Sequence, residues 1–131
     1  MALNIVIISV LAIFAIGVLS DDEYDILNRF KTKIDECITE TKVDRGIVES
    51  LFEDSVFTED KALKCFIHCF HVKLNFVNEN GVVNVDEMKN VILPLAKDKV
   101  QATGIIEKCS KINEGDKCET AFAMEKCFSE E

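Results

Sequence analysis

The sequence predicts an all-α domain stapled by disulfides, and three observations carry that prediction. One Pro and five Gly in 131 residues leave few breakers of regular structure. Apolar residues recur at helical spacing, and no stretch shows the convincing period-2 alternation of a half-buried strand. Six cysteines, at positions 37, 65, 69, 109, 118 and 127, follow an uncharged apolar N-terminus. That combination is the pattern of an oxidised framework outside the cell.

The elements follow in order. Of the first 20 residues 16 are apolar and none is charged. Ile5 to Leu19 fits the core of a signal peptide, and Val18-Leu19-Ser20 offers a small residue at the cut. The expected organisation is a signal peptide over residues 1–20 and one domain over 21–131. The apolar run is shorter than the roughly 20 residues that span a bilayer, so no stable membrane association is expected. A first helix, from about Asp22 to Thr39, carries Ile26, Leu27, Phe30, Ile34 and Cys37 on one broad face. Asp44 can cap a second helix holding Ile47, Leu51 and Phe52, and Thr58 is the expected N-cap of a third helix from Glu59 to about Leu74.

Asn78-Glu79-Asn80-Gly81 is turn chemistry, with Gly81 suited to a positive φ. Asn84 and Glu87 form a capping box for a fourth helix, which Pro94 should end or kink. A fifth helix is expected from about Lys97 to Lys111. Gly115 closes the next turn, and Asp116 with Glu119 opens a sixth. About six helices result.

Composition excludes some partners. Against 24 acidic residues stand 15 basic ones, for a net charge of −9. Phosphate recognition depends on Lys and Arg clusters, so nucleic acid and anionic membrane are not expected as partners.

Cysteine spacing limits the crosslinks. Cys65 and Cys69 lie one turn apart on a helix, too far along it for a relaxed S–S bond. Cys118 and Cys127 fall on opposite faces of the last helix. Five of the 15 connectivities use one of those pairs, and ten stay open. Each of these helices is therefore tied to another element.

The pattern C37-x27-C65-x3-C69-x39-C109-x8-C118-x8-C127 resembles that of insect odorant-binding proteins, the pheromone-binding/general odorant-binding (PBP/GOBP) family. Cys65-Phe66-Ile67-His68-Cys69, running through Leu74-Asn75-Phe76 to Asn80-Gly81, is similar to the family's stretch after its second cysteine. The resemblance covers essentially the whole of residues 21–131. It implies a compact bundle of helices around an apolar cavity, with pairs Cys37–Cys69, Cys65–Cys118 and Cys109–Cys127. Only Phe128-Ser129-Glu130-Glu131 follows the last cysteine, so a gate made of a longer tail is not expected.

Lining residues are then chosen by helix face. They are Leu27 and Phe30 on the first helix; Ile67, His71 and Leu74 on the third; Phe76, Val77 and Val83 about the turn; Met88, Val91, Ile92 and Leu95 on the fourth; Ile105 and Ile106 on the fifth; and Ala121, Met124 and Phe128 on the sixth. Met adapts to varied apolar shapes and Phe offers broad flat contact. Such walls suit odorant- or pheromone-like alcohols, esters, aldehydes or terpenoids of roughly 10–20 heavy atoms. His71 stands in the apolar row of its helix and is either a polar handle for a ligand oxygen or a core histidine with a local partner; Tyr24 is a second handle candidate.

The expected function is a secreted, extracellular carrier of small hydrophobic molecules, without cofactor, metal or catalytic residue. An odorant receptor or a weak homodimer would be its macromolecular partners. Two other readings share the frame: a carrier in a non-olfactory fluid, and an interaction protein or toxin without a cavity. Cys65, His68, Cys69 and His71 crowd one helix in the manner of zinc ligands, but an oxidised compartment commits the cysteines to disulfides. No Asp follows His68 to orient it as a general base, and no Gly-rich calcium loop accompanies it.

Overall fold

A computed structural model describes residues 25–130. The expected signal peptide, residues 1–20, and Tyr24 lie outside the described residues. Among the described residues seven α-helices follow in order: α1 Asp25–Arg29, α2 Lys31–Thr41, α3 Arg45–Asp54, α4 Lys61–Lys73, α5 Val85–Ile92, α6 Lys99–Cys109 and α7 Lys117–Glu130, with a 3-10 turn at Leu93–Leu95 between α5 and α6. The described residues contain no strand, only an isolated antiparallel bridge between Val77 and Val83.

The single first helix of the sequence reading is two helices. Phe30 leaves helical geometry, at φ −108° and ψ 21°, and separates α1 from α2. Helix α4 starts later than expected. Its N-cap is Asp60 rather than Thr58: the Asp60 carboxylate accepts the Leu63 N–H at 2.9 Å, and a charged acceptor makes the stronger bond. Asp44 holds the N-cap position of α3 without a side-chain hydrogen bond.

Asn84 caps α5 through the Glu87 N–H at 3.1 Å, and Asp116 accepts the Glu119 N–H at 2.9 Å at the start of α7. Helix α6 runs from Lys99 rather than Lys97 because Asp98 takes the cap, accepting the Gln101 N–H at 2.9 Å. Pro94 sits within the 3-10 turn that closes α5, as an imino acid without an N–H requires.

All six cysteines are paired. Cys37–Cys69 ties α2 to α4, Cys65–Cys118 ties α4 to α7, and Cys109–Cys127 ties α6 to α7, with Cα separations of 5.7, 4.5 and 5.8 Å. These are the pairs that the family resemblance implies. Helices α3 and α5 carry no cysteine. The broadest helix–helix contact is α4 on α7, followed by α2 on α4. Around that axis Leu63, Phe66, Phe76, Met88, Ile92, Ile106, Met124 and Phe128 are completely buried.

Between α4 and α5 the chain turns sharply. Gly81 sits at φ +87°, a region that costs a residue with a Cβ about 1–2 kcal/mol. A Cβ there would also lie 3.2 Å from the Lys117 Cβ. The turn is therefore pressed against the start of α7. Lys117 Nζ donates to the Glu79 carbonyl at 3.1 Å, and the Asn78 side chain accepts the N–H groups of Asn80 and Val82 at 2.8 and 3.0 Å.

Candidate functional site

Residues four and seven apart on a helix share a face. On α4 that rule puts Ile67, His71 and Leu74 in one row, and all three are buried. The facing helix α7 presents Ala121, Met124 and Phe128, also buried. Glu125 lies among them, four residues after Ala121, and His71 meets it: Nε2 and the Glu125 Oε1 are 3.1 Å apart, with both side chains wholly buried. The other ring nitrogen of His71, Nδ1, is buried and has no hydrogen-bond partner. The ring lies 5.9 Å from that of Phe76, tilted by 46°.

The remaining chosen residues fall into three groups. Phe76, Met88, Ile92, Ile105, Ile106 and Leu74 belong with Ile67, Ala121, Met124 and Phe128 to one apolar cluster, and Leu27, Phe30, Val83 and Val91 pack against its margin. Val77 is buried outside that cluster, and Leu95 is half-buried in the 3-10 turn. Val77 and Val83 also border an open concavity of about 890 Å³ at the turn, together with Asn75, Asn78, Glu79, Asn84, Asp86 and Glu87. That opening is of mixed character, since Val72, Val82 and Val85 also wall it. It is distinct from the apolar interior where Met88, Ile92, Ile106, Met124 and Phe128 expose no surface at all.

Sequence reasoning missed Glu125, although its place four after Ala121 and three before Phe128 marked an acid on an apolar face. It also missed a second aromatic face of α4. Phe66 and Phe70 stack with ring centres 6.1 Å apart, Phe52 of α3 meets both edge-on, and Phe30 meets Phe70 edge-on at 5.9 Å. The i, i+4 spacing of Phe66 and Phe70 was the available signal.

His68 is on the same helix as His71 with a different environment. It is only 7% exposed, and its Nε2 has no partner. Burial holds its pKa below the ordinary 6.5, Lys117 adds to that, and a hydrogen bond to the Glu79 backbone opposes it. Among the described residues no cluster of three His, Cys, Asp or Glu side chains is arranged to hold a metal ion, and no helix is long and apolar enough to cross a membrane.

Comparison with known proteins places this arrangement. A sequence model described as the PBP/GOBP family matches residues 20–131. General odorant-binding protein 57c of Drosophila melanogaster is 31% identical over an alignment covering 96% of this chain and 81% of that protein. Odorant-binding protein 10 of Aedes aegypti is 29% identical, over 88% of this chain and 81% of that protein. Among solved structures, an odorant-binding protein of Locusta migratoria superposes with a TM-score of 0.67 at 25% identity, over 79% of this chain and 78% of that one. A fatty acid binding protein from the oral disk of the blowfly Phormia regina superposes with a TM-score of 0.65 at 26% identity, over 79% of this chain and 89% of that one.

Proposed function

This chain belongs to the PBP/GOBP family and is a carrier of small hydrophobic ligands; we propose that it works as a secreted protein, taking up odorant- or pheromone-like molecules in extracellular fluid. The observation that supports this reading best is the apolar interior with a hydrogen-bonded polar pair, His71 and Glu125, sunk in it. Ligand transfer from water into such a wall gains about 0.8 kcal/mol per buried CH₂. His71 is the group we assign to orient the ligand's oxygen, within walls drawn from Ile67, Leu74, Phe76, Met88, Ile106 and Met124. The family match begins at residue 20, which supports a signal peptide over residues 1–20 and a mature domain from Asp21.

Entry requires movement, because the wall side chains are buried and Phe76, Met88, Ile106 and Met124 expose no surface. We assign that movement to α5 with its 3-10 turn, which lies between Cys69 and Cys109, a stretch no disulfide interrupts. A reading without olfaction has a specific support too, since the blowfly relative is a fatty acid binding protein from an oral disk.

Uptake and displacement of a fluorescent apolar probe by the oxidised, delipidated protein tests the carrier reading. The expected outcome is saturable uptake and displacement by apolar alcohols and esters. Oxidised protein that takes up no probe would leave an interaction protein on the same frame. Native mass spectrometry of protein recovered from the culture medium should give a mass that begins at or near Asp21.

A further inference from the structure

We propose that the His71–Glu125 pair makes this chain select ligands that donate a hydrogen bond, alcohols or phenols with an apolar body, over carboxylates and over acceptor-only ethers. The inference rests on the carrier reading above and adds to it the ligand's chemical class.

The argument begins with what each group can offer. An ionised carboxylate only accepts hydrogen bonds, and a neutral imidazole carries its single N–H on one nitrogen. With Glu125 Oε1 3.1 Å from Nε2, the hydrogen belongs on Nε2 and points at the acid. The opposite nitrogen is then a bare lone pair. In this structure Nδ1 is fully buried and nothing donates to it. A buried acceptor left unmade costs more than a made bond gains, so the site discriminates: a guest O–H completes it, and a guest without one leaves it unpaired.

The same geometry works against acids. A ligand carboxylate at Nδ1 would set lone pairs against a lone pair, on the far side of the ring from a second carboxylate. It could be held only by adding a proton to the ring. Glu125 thus acts as a positioning residue, choosing the tautomer of His71, and the blowfly fatty acid binding protein marks the ligand class this chain should refuse.

Three ligands of equal carbon count separate the outcomes: dodecanol, undecyl methyl ether and dodecanoate, each displacing a fluorescent apolar probe from the oxidised chain at neutral pH. Dodecanol is expected to bind about tenfold tighter than either of the others, the worth of one buried hydrogen bond. The double variant His71→Leu with Glu125→Leu should keep the ether's affinity and lose the preference. In Glu125→Gln, the amide can either donate to or accept from Nε2, so the tautomer is no longer fixed and the ratio of dodecanol to dodecanoate affinity should narrow.

A reading independent of any variant is the ¹⁵N resonance of His71 Nδ1 in the wild type. It should shift on adding dodecanol and stay in place with the ether. Equal affinity for dodecanol and ether overturns the proposal, as does tighter binding of dodecanoate, which would mean a protonated Nδ1. Failure of all three ligands to displace a bound probe also overturns it, leaving another guest class for the carrier. Failure of the probe itself to bind instead sinks the carrier reading on which it rests.

Discussion

Helices α4 and α7 are joined by covalent, ionic and buried polar contacts, whereas α5 and the turn that closes it are joined to their neighbours by packing, a surface ion pair and hydrogen bonds from Lys99 to the Leu93 and Ala96 carbonyls. Across the first interface run the Cys65–Cys118 disulfide, the Lys64–Glu119 ion pair at 3.1 Å and the buried His71–Glu125 contact at 3.1 Å. Across the second runs Lys89 to Glu107 at 2.9 Å, a solvent-screened pair of the kind worth about 0–1 kcal/mol. The contrast divides the labour of a carrier. In the function proposed above, one region fixes the tautomer and place of a polar group, which requires a rigid frame. The other has to let a guest past side chains that are fully buried, which requires a part of low local stability.

The largest effect expected from breaking this comparison is on the joined side. Replacing Cys65 and Cys118 together by Ser should cost about 2–5 kcal/mol, the usual loss for a native bridge in a small domain. Urea unfolding with the slope fitted separately for each form measures it, since the uncrosslinked chain exposes more surface on unfolding. A change near zero would mean that packing alone holds α4 to α7 and that the two regions are held by the same means.

A smaller effect belongs to the other side. Asn84→Ala removes the side-chain acceptor for the Glu87 N–H and should cost about 1 kcal/mol. Hydrogen exchange gives the sharper readout: α5 amides should exchange faster while those of α4 and α7 hardly change, and probe uptake should quicken. Uniform acceleration through the whole chain would show one cooperative unit and end the division into frame and gate.

Much of the joined region was legible in the sequence. Cysteine spacing excluded bridges within a helix, the i, i+4, i+7 row placed Ile67, His71 and Leu74 together, and Asp116 announced α7. The partner of His71 was harder to read because it lies 54 positions away, and helical periodicity does not say which residue of a neighbouring helix stands opposite. The break at Phe30 left no signal, since neither Gly nor Pro marks it; tertiary packing sets it. The cap of α4 was misread by two residues because Thr58 and Asp60 are both good cap formers, and only the built turn shows which carboxylate or hydroxyl reaches an N–H. The proposed gate was the least legible part, since a helix without cysteine resembles any other amphipathic helix until the bridges are placed around it.

The seam between the two regions gives the smallest prediction, a change in pH dependence. His68 on α4 and Lys117 on α7 both address the Glu79 backbone of the turn that leads to α5. Burial, helped by the charge of Lys117 and opposed by Glu79 through its backbone and its acid, lowers the His68 pKa below 6.5. The unfolded chain therefore takes up this proton at a higher pH than the folded one, and stability rises with pH wherever the unfolded state binds more protons. The contribution is complete above about pH 6.5, shrinks as pH falls through the window below it, and is spent once pH has passed the folded pKa. His68→Gln should flatten that part of the stability curve without moving the steeper acid limb at lower pH, where Asp35, Glu59, Glu107 and Asp116, each held low chiefly by a hydrogen bond, take up their protons. Urea midpoints across the interval measure both limbs. An unchanged slope in the variant would assign the seam's pH response to another group, and a slope of opposite sign would mean that His68 is charged in the folded protein and held by Glu79 rather than repelled by Lys117.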